Sequence, residues 1–325
     1  MQQTGKMKAW VLEDWEKLEY REVPVPVPTE DQVLLKIESA CLCNGSDPGI
    51  YHGHEAYSPP LVFGHEACGV IVEAGKKVKG VAPGDRVSFW CSLGAFGEYQ
   101  AVDPTKVAMF PVPKTVSIEE APVLELVIAS CRALMLNPPG PQRKNLTVCG
   151  LGPSGQVLIQ YAKCLGYSHV IGWDLYESRR DLALTLGADQ VYDPAKFSPE
   201  DLEKMIPADV SVVMMGDDIL PGEPTVTQLM RATRKGGLII SYGHPEQGRK
   251  FSPYVFQSRD LTMVGPVNDL EIIREKGKFV LEQVELGKIK IRPLITHVRK
   301  FEELGEAFQQ LLQHPEKQIK VIFKW

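Results

Sequence analysis

Through the first third of the chain, apolar residues come in runs of three to five separated by turn residues. Trp10-Val11-Leu12, Val33-Leu34-Leu35-Lys36-Ile37, Gly69-Val70-Ile71-Val72, Arg86-Val87-Ser88-Phe89, Tyr99-Gln100-Ala101-Val102 and Lys106-Val107-Ala108-Met109 are such runs. Their length and β-branched content predict strands. Pro24-Val25-Pro26-Val27-Pro28 predicts an extended connector, because proline fixes φ and donates nothing to a ladder. Clusters such as Ala82-Pro83-Gly84-Asp85 predict turns. This region reads as a β-rich domain.

The pattern changes near residue 117. Ser117-Ile118-Glu119-Glu120 has the spacing of a capping box, and the apolar run behind it predicts a helix, straight or broken, to about Leu136. Asn137-Pro138-Pro139-Gly140-Pro141 ends it. From 145 the chain alternates strand and helix. Strands are predicted at Leu146–Cys149, Val170–Trp173, Gln190–Tyr192, Val210–Met215, Leu238–Tyr242 and Leu261–Val264. Helices are predicted at Gln156–Leu165, Glu177–Leu186, Pro199–Met205 and Thr225–Arg234. Such alternation over about 120 residues predicts a doubly wound parallel sheet. A charged amphipathic helix over Leu270–Glu285, a helix through Phe301–Leu312 and a last strand at Ile319–Phe323 follow.

Gly150-Leu151-Gly152-Pro153-Ser154-Gly155 lies between a predicted strand and a predicted helix. In that context GxGxxG points to a dinucleotide. The first glycine makes the turn, the second admits a pyrophosphate, the third packs helix on strand, and the helix N-terminus offers free amides. Asp174 ends the next strand, 19 residues after Gly155. A carboxylate there accepts from ribose hydroxyls and repels a 2′-phosphate, which predicts NAD(H). Arg179 and Arg180 just downstream have two readings, a phosphate hold or a solvated helix face.

His65 and Glu66 precede the strand at Gly69–Val72, and Glu125 interrupts the apolar run Val123–Ile128. A carboxylate in such a run is exposed, paired or bound to a cation. With Cys41 and Cys43 these residues are candidate ligands for a catalytic metal, which needs three protein donors. No group of cysteines has structural-zinc spacing.

Composition narrows the classes. The 325 residues suggest about two domains. A hydrophobic fraction of 44% and a charged fraction of 24% are those of a globular protein. A net charge of −5 argues against nucleic acid or an anionic membrane as the main partner. Met1–Trp10 shows no secretory leader, and seven scattered cysteines fit a reducing cytoplasm.

These motifs together resemble the medium-chain dehydrogenase/reductase superfamily, the zinc alcohol and polyol (sorbitol-like) dehydrogenases. Gly45-Ser46-Asp47, Gly64-His65-Glu66-Ala67-Cys68-Gly69, Pro83–Val87, Gly94–Tyr99, the glycine-rich turn and Pro293–His297 occur in that family's order and span nearly the whole chain. The resemblance implies an α/β protein. A GroES-like β-rich catalytic domain would cover 1–126, a Rossmann domain 127–267, and a C-terminal return to the catalytic domain 268–325. It also implies a homodimer or homotetramer.

The resemblance further implies one catalytic zinc, with His65 and Glu125 as ligands, Glu66 as an outer or transient ligand, and Ser46 in a proton relay. Gly150, Gly152, Pro153, Ser154, Gly155, Asp174 and Arg179 would hold NAD. The first ligand departs from the family's Cys-Gly-Ser-Asp, because Cys43-Asn44-Gly45-Ser46-Asp47 puts Asn44 at the ligand place. Either a one-residue bulge brings Cys43 to the metal, or the site is weakened or empty; Cys43 is the softer donor and the expected one. Gly49 stands where many members have a relay histidine, with His52 and His54 nearby, and the loop that carries a structural zinc in many members is absent. The expected activity is reversible NAD-linked oxidation of a secondary alcohol, a polyol or sugar derivative. The alternatives are a zinc-free quinone or enone reductase of the same superfamily and a non-catalytic dinucleotide-binding protein.

Overall fold

The computed structural model describes residues 5–54, 56–216, 222–243 and 248–325. The start of the chain read above for a leader, residues 1–4, lies outside them. The chain divides into two compact units. One comprises residues 1–129, 269–285 and 291–325; the other comprises 130–268 and 286–290.

The first unit is built on a seven-stranded sheet. Strand Val33–Cys41 lies at its centre, between Lys320–Lys324 and Glu66–Ala74, with Tyr99–Val102 also paired to it. Arg86–Trp90 and Ala108–Pro111 continue one side, and Ile295–Lys300 closes the other. Most of these pairings are antiparallel; Ile295–Lys300 runs parallel to Lys320–Lys324. A small sheet of Lys17–Pro24, Lys6–Asp14 and Leu61–Val62 lies beside it. The core holds Leu35, Ile37, Phe63, Phe89, Phe96, Phe301, Phe308 and Phe323. Alternation puts every second strand residue on this face, and burying each large side chain contributes about 1.5–3 kcal/mol. The C-terminal strand is therefore structural here: Ile322 pairs with Cys41, and Phe323 with Ala40.

The second unit is a six-stranded, all-parallel sheet. Its order is Gln190–Tyr192, His169–Trp173, Asn145–Cys149, Ala208–Val213, Thr233–Ser241 and Thr262–Val264. Chain order reverses beside Asn145–Cys149, and the carboxyl ends of strands at such a switch point are where ligands bind. Helix Pro153–Leu165 ends at Gly166 in the left-handed region, φ 93°, where its amide takes two orphan carbonyls.

Boundaries differ from the reading of the sequence where tertiary contacts outweigh local preference. The helix predicted from Ser117 to about Leu136 has its capping box, with Ser117 and Glu120 bonded reciprocally. It then runs as a 3₁₀ turn, Ala121–Val123, and an α-helix, Leu124–Cys131. Residues 132–136 leave the helix as a run of turns, and there the Arg132 guanidinium donates to Val267 O and Asn268 Oδ1. Thr233 and Arg234, predicted helical, begin a strand instead. Helices Ser46–Tyr51 and Pro253–Ser258 are too short for a periodic signal.

Candidate metal centre and dinucleotide cradle

In the first unit three segments meet around Cys43. Strand Val33–Cys41 pairs with Glu66–Ala74 so that Cys41 faces Glu66, the end of one strand against the start of the other. After Cys41 the chain turns: Asp47 Oδ2 accepts from Cys43 N at 2.8 Å, and Ser46 N donates to Cys43 Sγ at 3.4 Å. Asn44 is directed elsewhere, its amide donating to Gln318 O at 3.3 Å. Gly64, at φ 77°, ends the segment before His65; a Cβ there would come within 2.4 Å of the Phe96 ring. Only glycine fits this turn, which sets the entry of His65 into the site.

Donor atoms of Cys43, His65 and Glu66 lie within 4.8 Å of one another, the one such group among the described residues. Asp47 is fully buried, and its Oδ1 lies 3.1 Å from His65 Nδ1. Asp47 Oδ1, His65 Nδ1 and Glu66 Oε2 are buried without a well-aligned hydrogen-bond partner. Burial alone lowers the affinity of His65 for a proton, but the charges of Asp47 and Cys43 outweigh it and hold the ring well above the usual histidine range. A thiolate–imidazole–carboxylate set suits zinc, with Asp47 beside the imidazole as an outer carboxylate is in zinc sites. The residues present fit the metal.

Glu125, the further ligand expected, is 5% exposed at the start of helix Leu124–Cys131 and has polar partners, yet stands outside this group. Ser46 is half-buried at the start of helix Ser46–Tyr51. His52 is held near the surface by Glu16, Nδ1 to Oε1 at 2.6 Å. Two residues at the centre carried no signal of their own in the sequence. Asp47 figured there only within a motif. Lys320 reads as one of many strand lysines; it is fully buried, with Nζ 2.7 Å from Glu66 Oε1, 2.6 Å from Glu66 Oε2 and 2.7 Å from Leu42 O. Burial pushes its pKa down; the charges of Cys41 and Glu66 more than reverse this, and the net direction is up. A lysine between two hydrophobic strand neighbours was the only hint available.

In the second unit the glycine-rich turn leaves strand Asn145–Cys149 and enters helix Pro153–Leu165. Gly150 has φ 98°, and a Cβ there would meet Met215 N at 2.6 Å. At Gly155 a Cβ would meet Gly150 O at 2.0 Å, while at Gly152 it would stand in open space. The three positions thus fold the turn, pack the helix and leave one face clear above the first amides of Pro153–Leu165, whose first turn also holds Ser154. Asp174 Oδ2 accepts from Leu151 N at 2.7 Å and Oδ1 from Tyr176 N at 2.9 Å. Arg180 is committed to the carbonyls of Asp174 and Leu175, both at 2.8 Å. Arg179 lies over the Tyr176 ring, 4.7 Å from its centroid, with Nη1 3.9 Å from Asp174 Oδ2. Gln156, fully buried, donates to Leu151 O at 2.9 Å and Arg179 O at 2.8 Å, linking the turn to helix Glu177–Thr185.

Comparison with known proteins agrees with both halves. Residues 29–114 match the alcohol dehydrogenase GroES-like domain, and 153–269 match the zinc-binding dehydrogenase family. The chain is 27% identical to an L-idonate 5-dehydrogenase of Vitis vinifera, over 93% of this chain and 90% of the relative. It is 25% identical to sorbitol dehydrogenase of Ovis aries, over 88% of each. Among solved structures, an alcohol dehydrogenase of E. coli complexed with NADH superposes with a TM-score of 0.84 at 22% identity, covering 98% of this chain and 99% of that one. A zinc-binding dehydrogenase of Sinorhizobium meliloti bound to NADP gives 0.83 at 24%, covering 99% and 100%. A GroES-like unit carrying a thiolate–histidine–carboxylate cluster, joined in one chain to a Rossmann unit, places this protein in the zinc-type medium-chain alcohol and polyol dehydrogenases, NAD(P)-linked oxidoreductases that use a dinucleotide and zinc.

Proposed function

We propose that the protein catalyses reversible oxidation of a secondary alcohol on a polyol or sugar derivative, with NAD(H) and one catalytic zinc. The observation that carries this reading is the convergence of Cys43, His65 and Glu66 beside the buried Asp47. When bound, zinc supplies a Lewis acid that lowers the pKa of the substrate hydroxyl, and the nicotinamide takes up or returns the hydride. Cys43, His65 and Glu125 would hold the metal, with Glu66 as an outer or transient ligand. Asp47 keeps the His65 ring in place. Ser46, whose amide donates to Cys43 Sγ, is assigned the outward transfer of the substrate proton.

The preference for NAD(H) rests on Asp174. Two amides fix its carboxylate, yet four lone-pair sites leave room for ribose hydroxyls, and its charge repels a 2′-phosphate. Arg180 is occupied by backbone carbonyls. Arg179 is assigned to the ribose edge of the cradle beside the glycine-rich turn, Gly150, Gly152, Pro153, Ser154 and Gly155.

We place the protein in the cytoplasm, since all seven cysteines are free thiols. Among the described residues no helix is long and apolar enough to cross a membrane. A homodimer or homotetramer is expected, supported by the family and by the outer edge of Thr262–Val264, which no strand among the described residues pairs in the second unit's sheet. Sedimentation of the purified protein measures this, and a monomer at micromolar concentration contradicts it.

The decisive experiment combines metal analysis with turnover on a panel of polyols and sugar alcohols using NAD and NADP. About one zinc per chain, NAD-linked turnover and its loss on chelation are expected. Turnover undiminished in rigorously zinc-depleted enzyme would overturn the metal reading, and turnover with enones or quinones alone would favour the zinc-free reductase.

A further inference from the structure

We propose that Gln156 is a positioning residue for cofactor choice: it pins the backbone of Arg179, so that the guanidinium stays off Asp174 and the carboxylate keeps its charge for the ribose. This rests on the NAD(H) reading above and concerns a side chain to which that reading gives no role.

Gln156 lies in the first turn of helix Pro153–Leu165 and is fully buried. An amide in such a place is unfavourable unless it is hydrogen-bonded. Its Nε2 has two hydrogens, and each meets a carbonyl: Leu151 O at 2.9 Å and Arg179 O at 2.8 Å. These two acceptors fix which end of the amide faces them. The first belongs to the glycine-rich turn, the second to the start of helix Glu177–Thr185. Leu151 is held on its other side as well, since its amide donates to Asp174 Oδ2 at 2.7 Å. A chain of hydrogen bonds therefore runs from Asp174 through Leu151 and Gln156 to the backbone of Arg179. An apolar side chain at 156 would continue the helix but make none of the last two links.

The side chains of Arg179 and Asp174 are only 15% and 7% exposed, so the attraction between them is weakly screened. An unrestrained guanidinium and carboxylate close to about 2.7–2.9 Å, often as a two-pronged pair. Here Arg179 Nη1 stops 3.9 Å from Asp174 Oδ2. Two contacts hold the gap. Gln156 pins the Arg179 carbonyl, and the guanidinium rests over the Tyr176 ring, 4.7 Å from its centroid. Asp174 takes its hydrogen bonds from the amides of Leu151 and Tyr176 instead, which orient the carboxylate without cancelling its charge. That charge is what turns away a 2′-phosphate. With Arg179 free to close, the pair would neutralise itself and the repulsion would be lost.

The test measures the dissociation constants of NADH and NADPH by nicotinamide fluorescence, using the full-length protein. In Gln156→Leu the NADPH-to-NADH ratio of these constants is expected to fall about tenfold, on the scale of one or two hydrogen bonds. A helix that was merely loosened would weaken both cofactors alike and leave the ratio where it was. Tyr176→Leu, which removes the ring under the guanidinium and keeps Gln156, should lower the ratio too. In an Arg179→Met background, Gln156→Leu should no longer change the ratio, because no guanidinium is left to close on Asp174. If Gln156→Leu does not fold, Gln156→Met, which also lacks the two donors, reads the same quantity. An unchanged ratio in the Gln156 or Tyr176 variants, or a fall that persists without Arg179, overturns the inference. A wild type that binds NADPH as tightly as NADH overturns the NAD(H) reading itself.

Discussion

Cys43 and Asn44 are adjacent, and their side chains part company: one joins His65 and Glu66, the other donates to Gln318 O. The hydrogen bond from Cys43 N to Asp47 closes a turn with one residue more than the family's Cys-Gly-Ser-Asp, and the extra residue is absorbed at Asn44. Cys43→Ala is therefore expected to lose stoichiometric zinc by elemental analysis, whereas Asn44→Ala keeps it. The reverse pattern would mean that the turn is arranged otherwise in solution. In the cradle, Asp174→Ala removes the acceptor of Leu151 N along with the ribose contact. Hydrogen bonds to a charged group contribute about 1.5–3 kcal/mol, so the KM for NAD should rise roughly 10- to 100-fold, with the NAD-to-NADP preference shrinking. An unchanged preference in steady-state kinetics would remove Asp174 from the discrimination.

At the scale of elements, the glycine-rich turn depends on how closely helix Pro153–Leu165 approaches strand Asn145–Cys149. A methyl at Gly155 would press into Gly150 O, a backbone atom that cannot rotate away. Gly155→Ala should cost about 1–3 kcal/mol in urea unfolding, the usual penalty of overpacking. It should also weaken NADH binding in a fluorescence titration, because the helix N-terminus is displaced. Wild-type stability and affinity together would show that the helix has room to move. Strands and long helices were legible because their periodicity is local: Leu270–Glu285 is found with the bounds its apolar spacing predicts. Ser46–Tyr51 was not, since six residues carry too few turns for a pattern. The end of the helix at Cys131 was hidden because the apolar run continues past it, through Ala133-Leu134-Met135-Leu136.

For the whole molecule, titration of buried thiols bounds the stable range at high pH. Cys68 is fully buried in strand Glu66–Ala74, and desolvation pushes its pKa up to about 12. Burial pushes Cys131 up as well. A raised acid pKa means that the folded state keeps a proton which the unfolded chain gives up above about pH 8.5. The contribution of Cys68 is therefore complete below that pH and is lost progressively as pH rises toward 12. The melting temperature should fall across this window, and Cys68→Ser, which does not titrate there, should flatten the fall. An identical pH profile in the variant would assign the loss to other groups.

Sequence alone determined the alternation of strand and helix, the glycine-rich turn with its acid, and a set of candidate ligands, because each is written in residues near one another along the chain. Tertiary structure decided what those residues face. It gathered Cys43 with His65 and Glu66 and left Glu125 outside that group. It also brought Lys320 against Glu66 across 254 positions. Such contacts follow from strand register, and register is set by burying one whole face of a sheet, which no local pattern records.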